Sequence, residues 1–462
     1  MATETHSPGF GRVESFVRRL GPTWLAGAIA AGPATMVSLL VAGASFGYAL
    51  LWVVVLSAIL GTVGQYLAMR LGLLTEAGIV AVVEEHLGSF WAWVLVIDVV
   101  LAAGLAQLVI MKTLADVSAT IGGGAGLGVA ALADPRLWGI TWALVLALGL
   151  AGGGYRLAEV GAKVLVSLVV LAFVASAFVV PIDPAAAAAG LAPEMPAGVG
   201  GAVVAAGVLG GAVHITLLTM QSYTMRARGW TEGDRGIATF DVVSSMLVAF
   251  GIFSLAVFLV AASVLPEAGV GAGTIDEIRA AQALGPVAGE HATWLFLLGL
   301  WGAAVSTLGG NTIVPPYLLA DKLGWEQSVD DSRYRIALVA VALASAFGAF
   351  LEGAFFQLLV LVLAFGLVGT PFALAIILSL LNDPDVVGET NSTLENLGGL
   401  VLFAVATVLA GEFVLEELET VTEPLSAFVV AFAAAMVLAV VGLAATAARD
   451  RLRARSSDDG TV

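Results

Sequence analysis

The chain has 462 residues, of which 60% are hydrophobic and only 12% are charged, and its mean hydropathy is strongly positive. So little polar surface excludes a soluble globular domain of this size. Cysteine is absent, which excludes disulfides, thiolate metal sites and cysteine catalysis. We therefore predict one integral membrane domain over residues 21–447, between an N-terminal tail (1–20) and a C-terminal tail (448–462) that both lie in the cytoplasm.

The most informative segment comes first along the chain, because no charged residue occurs between Arg19 and Arg70. A helix needs about 20 apolar residues to cross a bilayer, so this run predicts two membrane spans in succession. The first span is interrupted near its middle by the helix-breaking sequence Gly32 to Thr35, which contains a proline. Unwound backbone at that depth lines a cavity or is buried in protein, and discontinuous helices hold the substrates of secondary transporters.

Long apolar runs bounded by charge, proline or glycine predict about twelve spans. We place them at 22–42, 49–69, 91–113, 137–153, 158–181, 200–225, 239–264, 292–319, 335–353, 356–381, 396–412 and 425–447. Between spans two and three, the spacing of apolar residues after Thr75 predicts a short amphipathic helix on the inner face of the membrane.

The distribution of basic residues indicates the orientation. With the N-terminus inside, every Lys and Arg falls on the cytoplasmic side except Lys112, Arg136 and Arg279. This asymmetry predicts a multi-pass protein of the plasma membrane with both termini in the cytoplasm. The outer loops are acidic and would attract cations. An isoelectric point near 4.6 and the excess of Arg over Lys favour a second interpretation of these acids, adaptation of the whole protein to high salt.

A second helix break is predicted in span six, where Gly207, Gly210 and Gly211 precede residues 212–216. Glycine pairs weaken a helix, so we expect unwinding here, with free carbonyls near Ile29 and Gly211. The two interrupted spans are five helices apart, as an inverted repeat of five helices predicts. The predicted fold class is an all-α membrane protein, a LeuT-type 5+5 inverted repeat with about twelve transmembrane helices. Helices one and six are broken, and spans eleven and twelve are peripheral additions.

Several short motifs are spread over residues 20–390. They are Gly21-Pro22, Ala42 to Trp52, Gln65 to Ala68 with Leu71-Gly72 and Thr75, Ser306 to Asn311 with Ala320-Asp321, and Pro371-Phe372. Together they resemble the Nramp divalent-metal transporters. The resemblance implies a secondary active transporter in which spans one, two, six and seven rock against the other spans of the repeat around a mid-membrane site.

The metal site of that family is where this sequence departs from the resemblance. The Asp and Asn with which the family binds its metal in span one correspond to Gly32 and Thr35. In span six, the family's motif of Met, Pro and His corresponds to His214, Ile215 and Thr216. The carboxylate of span one is therefore absent, and an imidazole replaces the thioether.

The remaining polar residues of the family's path are also replaced. A second histidine of span six corresponds to Gln221, the acids of span three match Gly104 and Gln107, and the glutamine of span ten has no counterpart. Carboxylate and thioether together suit a borderline-soft ion, so their loss argues against the usual Mn²⁺ or Fe²⁺ selectivity. A partly hydrated Mg²⁺ needs fewer direct protein ligands. We therefore expect import of a cation, with Mg²⁺ ahead of Mn²⁺.

The residues that we expect to bind the substrate lie at the two breaks. They are Gly32, Thr35, Ile29, Gly211, His214 and Thr216, with Thr35 and His214 as metal ligands. Residues of the path or of a proton relay are Asp98, Gln107, Gln221 and Asn311. Each has a structural alternative: His214 as a core histidine bonded to a carbonyl, Thr35 as a helix cap and Asp98 as the partner of an arginine. The amides can equally be hydrogen bonds between helices.

Other classes of protein stay open at this point. A transporter of a small organic solute or anion would explain a site without carboxylates, since half-helix N-termini attract anions. A membrane enzyme would need paired acids, a Ser/His dyad or a metal cluster, and the four scattered histidines supply none, so we predict no catalytic residues. The sequence does not separate a transporter from a sensor. The expected partners are the lipid bilayer and a small ion or solute, without nucleic acid and without a cofactor other than transported Mg²⁺ or Mn²⁺.

Overall fold

The structure is a computed structural model, and it describes residues 32–124, 130–152, 155–196, 200–271 and 274–458. Within these ranges the secondary structure is helical, without a strand. Eleven helical segments are long and apolar enough to cross a membrane, and Pro33–Phe46 is a shorter apolar helix. The shorter helix is the second half of span one, whose first half lies outside the described residues. The prediction of about twelve spans is confirmed.

The bounds of the spans follow the predicted ones closely. Spans one to six are Pro33–Phe46, Leu51–Thr75, Ser89–Gly124, Pro135–Gly152, Tyr155–Ala177 and the pair Gly201–Val213 and Ile215–Arg228. Span seven is Arg235–Val243, Ser244–Phe250 and Gly251–Val264; span eight is Ala292–Thr312 and Val314–Leu323; span nine is Ser332–Ala344 and Ser345–Phe350. Span ten is Phe355–Val368 and Thr370–Leu381, span eleven is Thr393–Glu419, and span twelve, Pro424–Asp458, runs as a helix into the predicted C-terminal tail.

The connections contain short helices. They are Ile79–His86, Ala130–Ala133, Pro184–Ala189, Glu232–Asp234, Glu277–Ala280, Ala281–Leu284, Gly285–Ala288, Gly289–His291 and Pro384–Val387. The first of them is the predicted amphipathic helix. Its apolar residues, Ile79, Val80, Val82 and Val83, are buried within the protein.

Local sequence sets the helix ends. Span one resumes at Pro33, since proline suits the first helical position, after Gly32 in an extended conformation with ψ 175°. Span eleven begins with a capping box in which the Ser392 and Glu395 side chains bond each other's backbone N–H. Span six ends at Gly229, whose left-handed conformation (φ 62°) is one that glycine adopts without strain.

Small residues let the central helices approach closely. A Cβ on Gly43 of span one would lie 2.7 Å from Ala261 of span seven, and one on Gly61 of span two would lie 2.9 Å from Ala212 of span six. Gly210 of span six packs directly against the carbonyl of Leu363 in span ten. Such stripes of small residues are typical of helix packing within a bilayer, and here they gather spans one, two, six, seven and ten.

The break of span six lies later than predicted. Gly207, Gly210 and Gly211 are all helical, and the chain leaves the helical conformation only at His214 (φ −49°, ψ 136°). The prediction of unwinding at the glycine pair was therefore wrong by three residues. The glycines serve close packing instead, because a side chain at those positions would collide with spans one and ten.

Two further interruptions lie in spans eight and ten. Span eight is irregular at Ile313, and the prolines Pro315 and Pro316 follow at the start of its second helix. Span ten breaks at Gly369, directly before Thr370 and Pro371, and this break was not predicted. Span eleven packs along spans two, six and ten, so it is more than the peripheral addition that we predicted.

Candidate functional site

The start of the helix Pro33–Phe46 and the break of span six lie close together in the interior of the bundle. The Thr35 hydroxyl oxygen lies 2.8 Å from the position that a Cβ on Gly211 would take. One turn earlier, Gly32 packs against Thr307 of span eight, whose hydroxyl oxygen would be 3.0 Å from a Cβ at Gly32. Thr35, Gly32 and Gly211 are buried, so three of the predicted site residues come together in the protein interior.

His214 stands at the break itself, and one nitrogen of its imidazole is engaged in a hydrogen bond. Nδ1 accepts the backbone N–H of Thr216 at 3.2 Å and so caps the second half of span six. Nε2 points at the backbone of span ten, toward the carbonyl of Val362, without a hydrogen bond of good geometry, and the ring packs directly on Gly366. In this conformation His214 is a cap, and its ring must turn before a nitrogen lone pair can reach an ion.

Several buried polar atoms around the break have no hydrogen-bond partner among the described residues. They include the hydroxyls of Ser38 and Thr216. Orphaned polar groups are costly in a membrane interior, so they indicate either ordered water or a bound solute. The carbonyl of Val213, freed at the end of the first half of span six, is satisfied by the Thr370 hydroxyl at 2.8 Å.

The site is short of classical metal ligands. Among the described ranges, no three His, Cys, Asp or Glu side chains come together in a group that could hold a metal ion. The predicted carbonyl of Ile29 lies outside the described residues. The polar groups brought together at the break are thus hydroxyls, one imidazole and backbone carbonyls, which suit a hydrated hard cation better than a soft one.

Asp98 lies deep in span three and is fully buried. Neither of its carboxylate oxygens has a hydrogen-bond partner within the described part of the chain, so the predicted alternative of an arginine partner is not what the structure shows. The carboxylate packs against Gly369 at the break of span ten. Gly366 and Gly369 are three residues apart along span ten, and the His214 ring and the Asp98 carboxylate each pack against one of them.

The amides of spans three and eight are joined to each other. Gln107 donates to the Thr312 hydroxyl at 2.6 Å, and Asn311 donates to the Gln107 side chain at 3.0 Å and to the Ala103 carbonyl at 2.7 Å. This is the hydrogen bonding between helices that we named as their alternative role. Gln221 is half-buried, two turns below His214.

Toward the predicted cytoplasmic side, the structure is closed by a group of bonds around Asp321. Its Oδ2 accepts the hydroxyl of Tyr223 at 2.7 Å and the N–H of Ala81 at 3.2 Å, so span eight holds both span six and the start of the helix Ile79–His86. The Ser222 hydroxyl accepts the N–H of Ile79 at 3.0 Å. We call these contacts the inner closure.

The inner closure has an ion pair at its edge. Lys322 donates to Glu84 at 2.7 Å and to the Ser89 hydroxyl at 3.0 Å. The hydrogen bond from Lys322 lowers the pKa of the Glu84 carboxyl, so this carboxylate stays ionised at neutral pH. A cavity of about 410 Å³ opens beside the closure and is lined by Tyr223, Asp321, Tyr317 and Trp325, among others.

We expect Tyr223→Phe to loosen the inner closure. The substitution removes one hydrogen bond to a charged group, which is worth about 1.5–3 kcal/mol, so the inward-open population should rise about tenfold or more. Thiol labelling of Gln221→Cys from the cytoplasmic side measures that population, because the parent chain has no cysteine. Tyr48→Phe, which removes a hydroxyl bonded to Ser263 at the opposite end, is the matched control. Equal labelling in the two variants would contradict a gating role for Tyr223.

An inverted repeat with interrupted helices meeting at its centre defines a LeuT-type transporter fold. The sequence matches the family described as natural resistance-associated macrophage protein-like over residues 23–416. The chain therefore belongs to the Nramp family, and the fold class and the resemblance predicted from the sequence are confirmed.

Relatives agree with this family, and solved structures agree with the fold. The divalent metal cation transporter MntH of Mycobacterium tuberculosis (strain H37Rv) is 28% identical over 408 residues, covering 84% of this chain and 89% of the relative. MntH of Yersinia enterocolitica is 31% identical over 317 residues, which cover 65% of this chain and 73% of the relative. The crystal structure of the Eremococcus coleocola manganese transporter in complex with an aromatic bis-isothiourea substituted compound matches with a TM-score of 0.70 at 16% identity, covering 98% and 97%. Mhp1, a transporter of the nucleobase-cation-symport-1 family, matches with a TM-score of 0.53 at 13% identity. This match covers 92% of this chain and 90% of Mhp1.

The sequence missed four residues of the central region. Ser38, Gly366, Gly369 and Thr370 all contact the break or its neighbours. A signal for the last three was present, since a glycine followed by Thr370-Pro371 is a sequence that interrupts a helix. Nothing in the sequence pattern pointed to Ser38.

Proposed function

We propose that this chain is a secondary active transporter that imports a divalent metal cation by alternating access and prefers Mg²⁺ to Mn²⁺. The single observation that carries the proposal is the meeting of Thr35 with Gly211 beside the break at His214. Related chains that are named divalent metal cation transporters support a divalent ion as substrate. The chain acts in the plasma membrane with both termini in the cytoplasm, where the basic residues gather.

The preference for Mg²⁺ follows from the donor set. Gly32 supplies no side-chain oxygen, and His214 supplies no sulfur. A cation bound here keeps most of its water and is held by the Thr35 and Thr216 hydroxyls and by carbonyls of the broken helices. Mg²⁺ dehydrates reluctantly and usually retains several waters, so it loses least in such a site. His214 joins the site when its ring leaves the Thr216 N–H.

Asp98 has a separate role in this proposal. Its buried carboxylate packs against Gly369, three residues along span ten from the Gly366 that the His214 ring contacts, on the side of the inner closure, and serves as a relay for a cation or a proton leaving the site. Uptake by Asp98→Asn under an imposed pH gradient tests the relay. If its uptake responds to the gradient as the parent's does, Asp98 is not part of the route.

Uptake of Mg²⁺ and Mn²⁺ into proteoliposomes tests the function. We expect saturable uptake of both ions, with the higher kcat/KM for Mg²⁺. The reverse order would contradict the preference and leave divalent transport intact. Empty liposomes and the variant His291→Ala, which replaces an exposed histidine distant from the site in sequence, are the controls.

A second candidate function is transport of a small organic solute or anion on the same fold. The Thr216 hydroxyl, unpartnered among the described residues, lies at the N-terminus of the helix Ile215–Arg228, where the helix dipole favours negative charge. Absence of uptake for both divalent ions would favour this candidate.

A further inference from the structure

Span eleven is attached to span six at its outer end. The Glu416 carboxylate accepts the backbone N–H of Gly200 and, at 3.2 Å, that of Val203. These are the first N–H groups of the helix Gly201–Val213, which have no partner within the helix. A carboxylate at a helix N-terminus is stabilised both by the hydrogen bonds and by the dipole. The outer end of span eleven is thus held by the first half of span six.

Its inner end is attached to spans two and seven. Glu395 accepts the hydroxyl of Tyr66 at 2.7 Å and lies 3.6 Å from the guanidinium of Arg70, both on span two. Arg235, at the start of span seven, lies 3.4 Å from the same carboxylate. The Arg70 side chain is only 1% exposed and also donates to Asn391 and to the carbonyls of Glu389 and Thr390. A buried, charged network of this kind keeps its partners together, because separating them would leave a charge unpaired.

Between the two ends, span eleven packs closely on span two. A Cβ on Gly64 would lie 3.0 Å from Leu402, and one on Gly398 would lie 3.3 Å from Val63. Gly399 faces Leu67 of span two and Leu378 of span ten. Together with the bonds of Glu395, the contact with span two therefore runs along about two turns of each helix.

Span eleven also packs on span ten, but its polar bonds to that span are weaker. Asn382, at the end of span ten, exchanges hydrogen bonds of 2.7 and 2.8 Å with Asn396 of span eleven. Both amides are exposed and uncharged, so water can replace each bond when the helices separate. The bonds to spans two, six and seven involve carboxylates, and the guanidinium of Arg70 is buried.

We propose that span eleven is a fifth helix of the moving unit and travels with spans two, six and seven while span ten slides past it. This inference rests on the alternating access proposed above. Glu416 and Glu395 both bond to helices that move in the proposed cycle. Span eleven therefore connects the moving helices to one another from the side. Span eleven would transmit motion between the outer end of span six and the inner ends of spans two and seven.

Distances between spin labels test the inference, and the chain suits the method because it contains no cysteine. Three pairs of introduced cysteines are needed at exposed inner positions: Leu394 of span eleven with Glu232 before span seven, Leu394 with Asp330 between spans eight and nine, and Glu232 with Asp330. Double electron–electron resonance is recorded in nanodiscs without metal, with Mg²⁺, with Mn²⁺, and in the Tyr223→Phe background.

The expected result is a change in the Glu232–Asp330 and Leu394–Asp330 distances between conditions, with the Leu394–Glu232 distance unchanged. If Leu394–Glu232 changes and Leu394–Asp330 does not, span eleven belongs to the static helices and the inference is overturned. If Glu232–Asp330 changes under none of the conditions, the alternating-access cycle itself fails. The two failures are thus distinguishable.

A double variant and its control show whether the two carboxylates attach span eleven to the moving helices. We expect the double variant Glu395→Gln with Glu416→Gln to broaden the Leu394–Glu232 distribution and to lower the uptake rate several-fold at unchanged KM. Glu419→Gln, at an exposed position of the same helix, is the control and should leave both unchanged. A narrow Leu394–Glu232 distribution in the double variant would overturn the assignment of Glu395 and Glu416 as the attachment points.

Discussion

Gly366→Ala is expected to inactivate the transporter and to lower its thermal midpoint, although glycine to alanine normally favours a helix. A Cβ on Gly366 would overlap the imidazole of His214, and the ring in its present position is held by the bond from the Thr216 N–H to Nδ1. Overpacking of this kind costs about 1–3 kcal/mol, against a gain in helix propensity of about 1 kcal/mol. Thermal unfolding in detergent and uptake in proteoliposomes measure the two effects.

The control for this prediction is Gly104→Ala, because Gly104 is a helical glycine of span three with open space around its Cβ position. It should keep or raise the thermal midpoint. The double variant Gly366→Ala with His214→Ala should be more stable than the sum of the two single changes predicts, since the shorter side chain vacates the space. Additive effects would contradict direct contact between the glycine and the ring.

Arg70→Met is expected to give the largest loss of stability in the protein. The guanidinium is buried and bonds two carbonyls, Asn391 and the carboxylates of Glu389 and Glu395. Both carboxylates keep Arg235 as a partner, but two carbonyls and the Asn391 side chain lose their donor. A buried acceptor that is left unsatisfied costs about 1–3 kcal/mol. The loss is measured as the fall in the midpoint of unfolding by heat or denaturant.

Arg279→Met is the matched control for Arg70→Met. Arg279 is also paired with a carboxylate, that of Asp276, but both side chains are about half exposed. Exposed ion pairs contribute little, so the midpoint should stay unchanged. Equal losses in the two variants would show that burial does not govern the strength of these pairs.

Span positions and the meeting of spans one and six could be predicted from the sequence, because both follow from local properties of the chain. Apolar length gives the spans, and a proline after Gly32 gives the first break. The second break could be placed only within a few residues. Glycine weakens a helix and also permits close packing, and the sequence does not say which effect applies at Gly210 and Gly211.

The hydrogen bonds and ion pairs at the two ends of span eleven could not be predicted from the sequence. Glu395 and Glu416 look like ordinary solvated acids in the sequence, and their partners are between 160 and 329 residues away along the chain. The capping role of His214 was not predicted, for a similar reason. A histidine at a helix break can bind a ligand or cap the next turn, and only the position of the Thr216 N–H distinguishes the two.

The central claim is that an ion binds where spans one and six are interrupted. Calorimetric titration of the purified protein with Mg²⁺, Mn²⁺ and Na⁺ tests it most directly, on the parent chain and on His214→Asn, Thr35→Val and His291→Ala. Asparagine is a good helix cap and has no imidazole, so His214→Asn separates the two roles of this residue. The account predicts saturable heat with Mg²⁺ that weakens in His214→Asn and Thr35→Val and persists in His291→Ala. Heat that is the same in all four proteins, or absent with every ion, would contradict it.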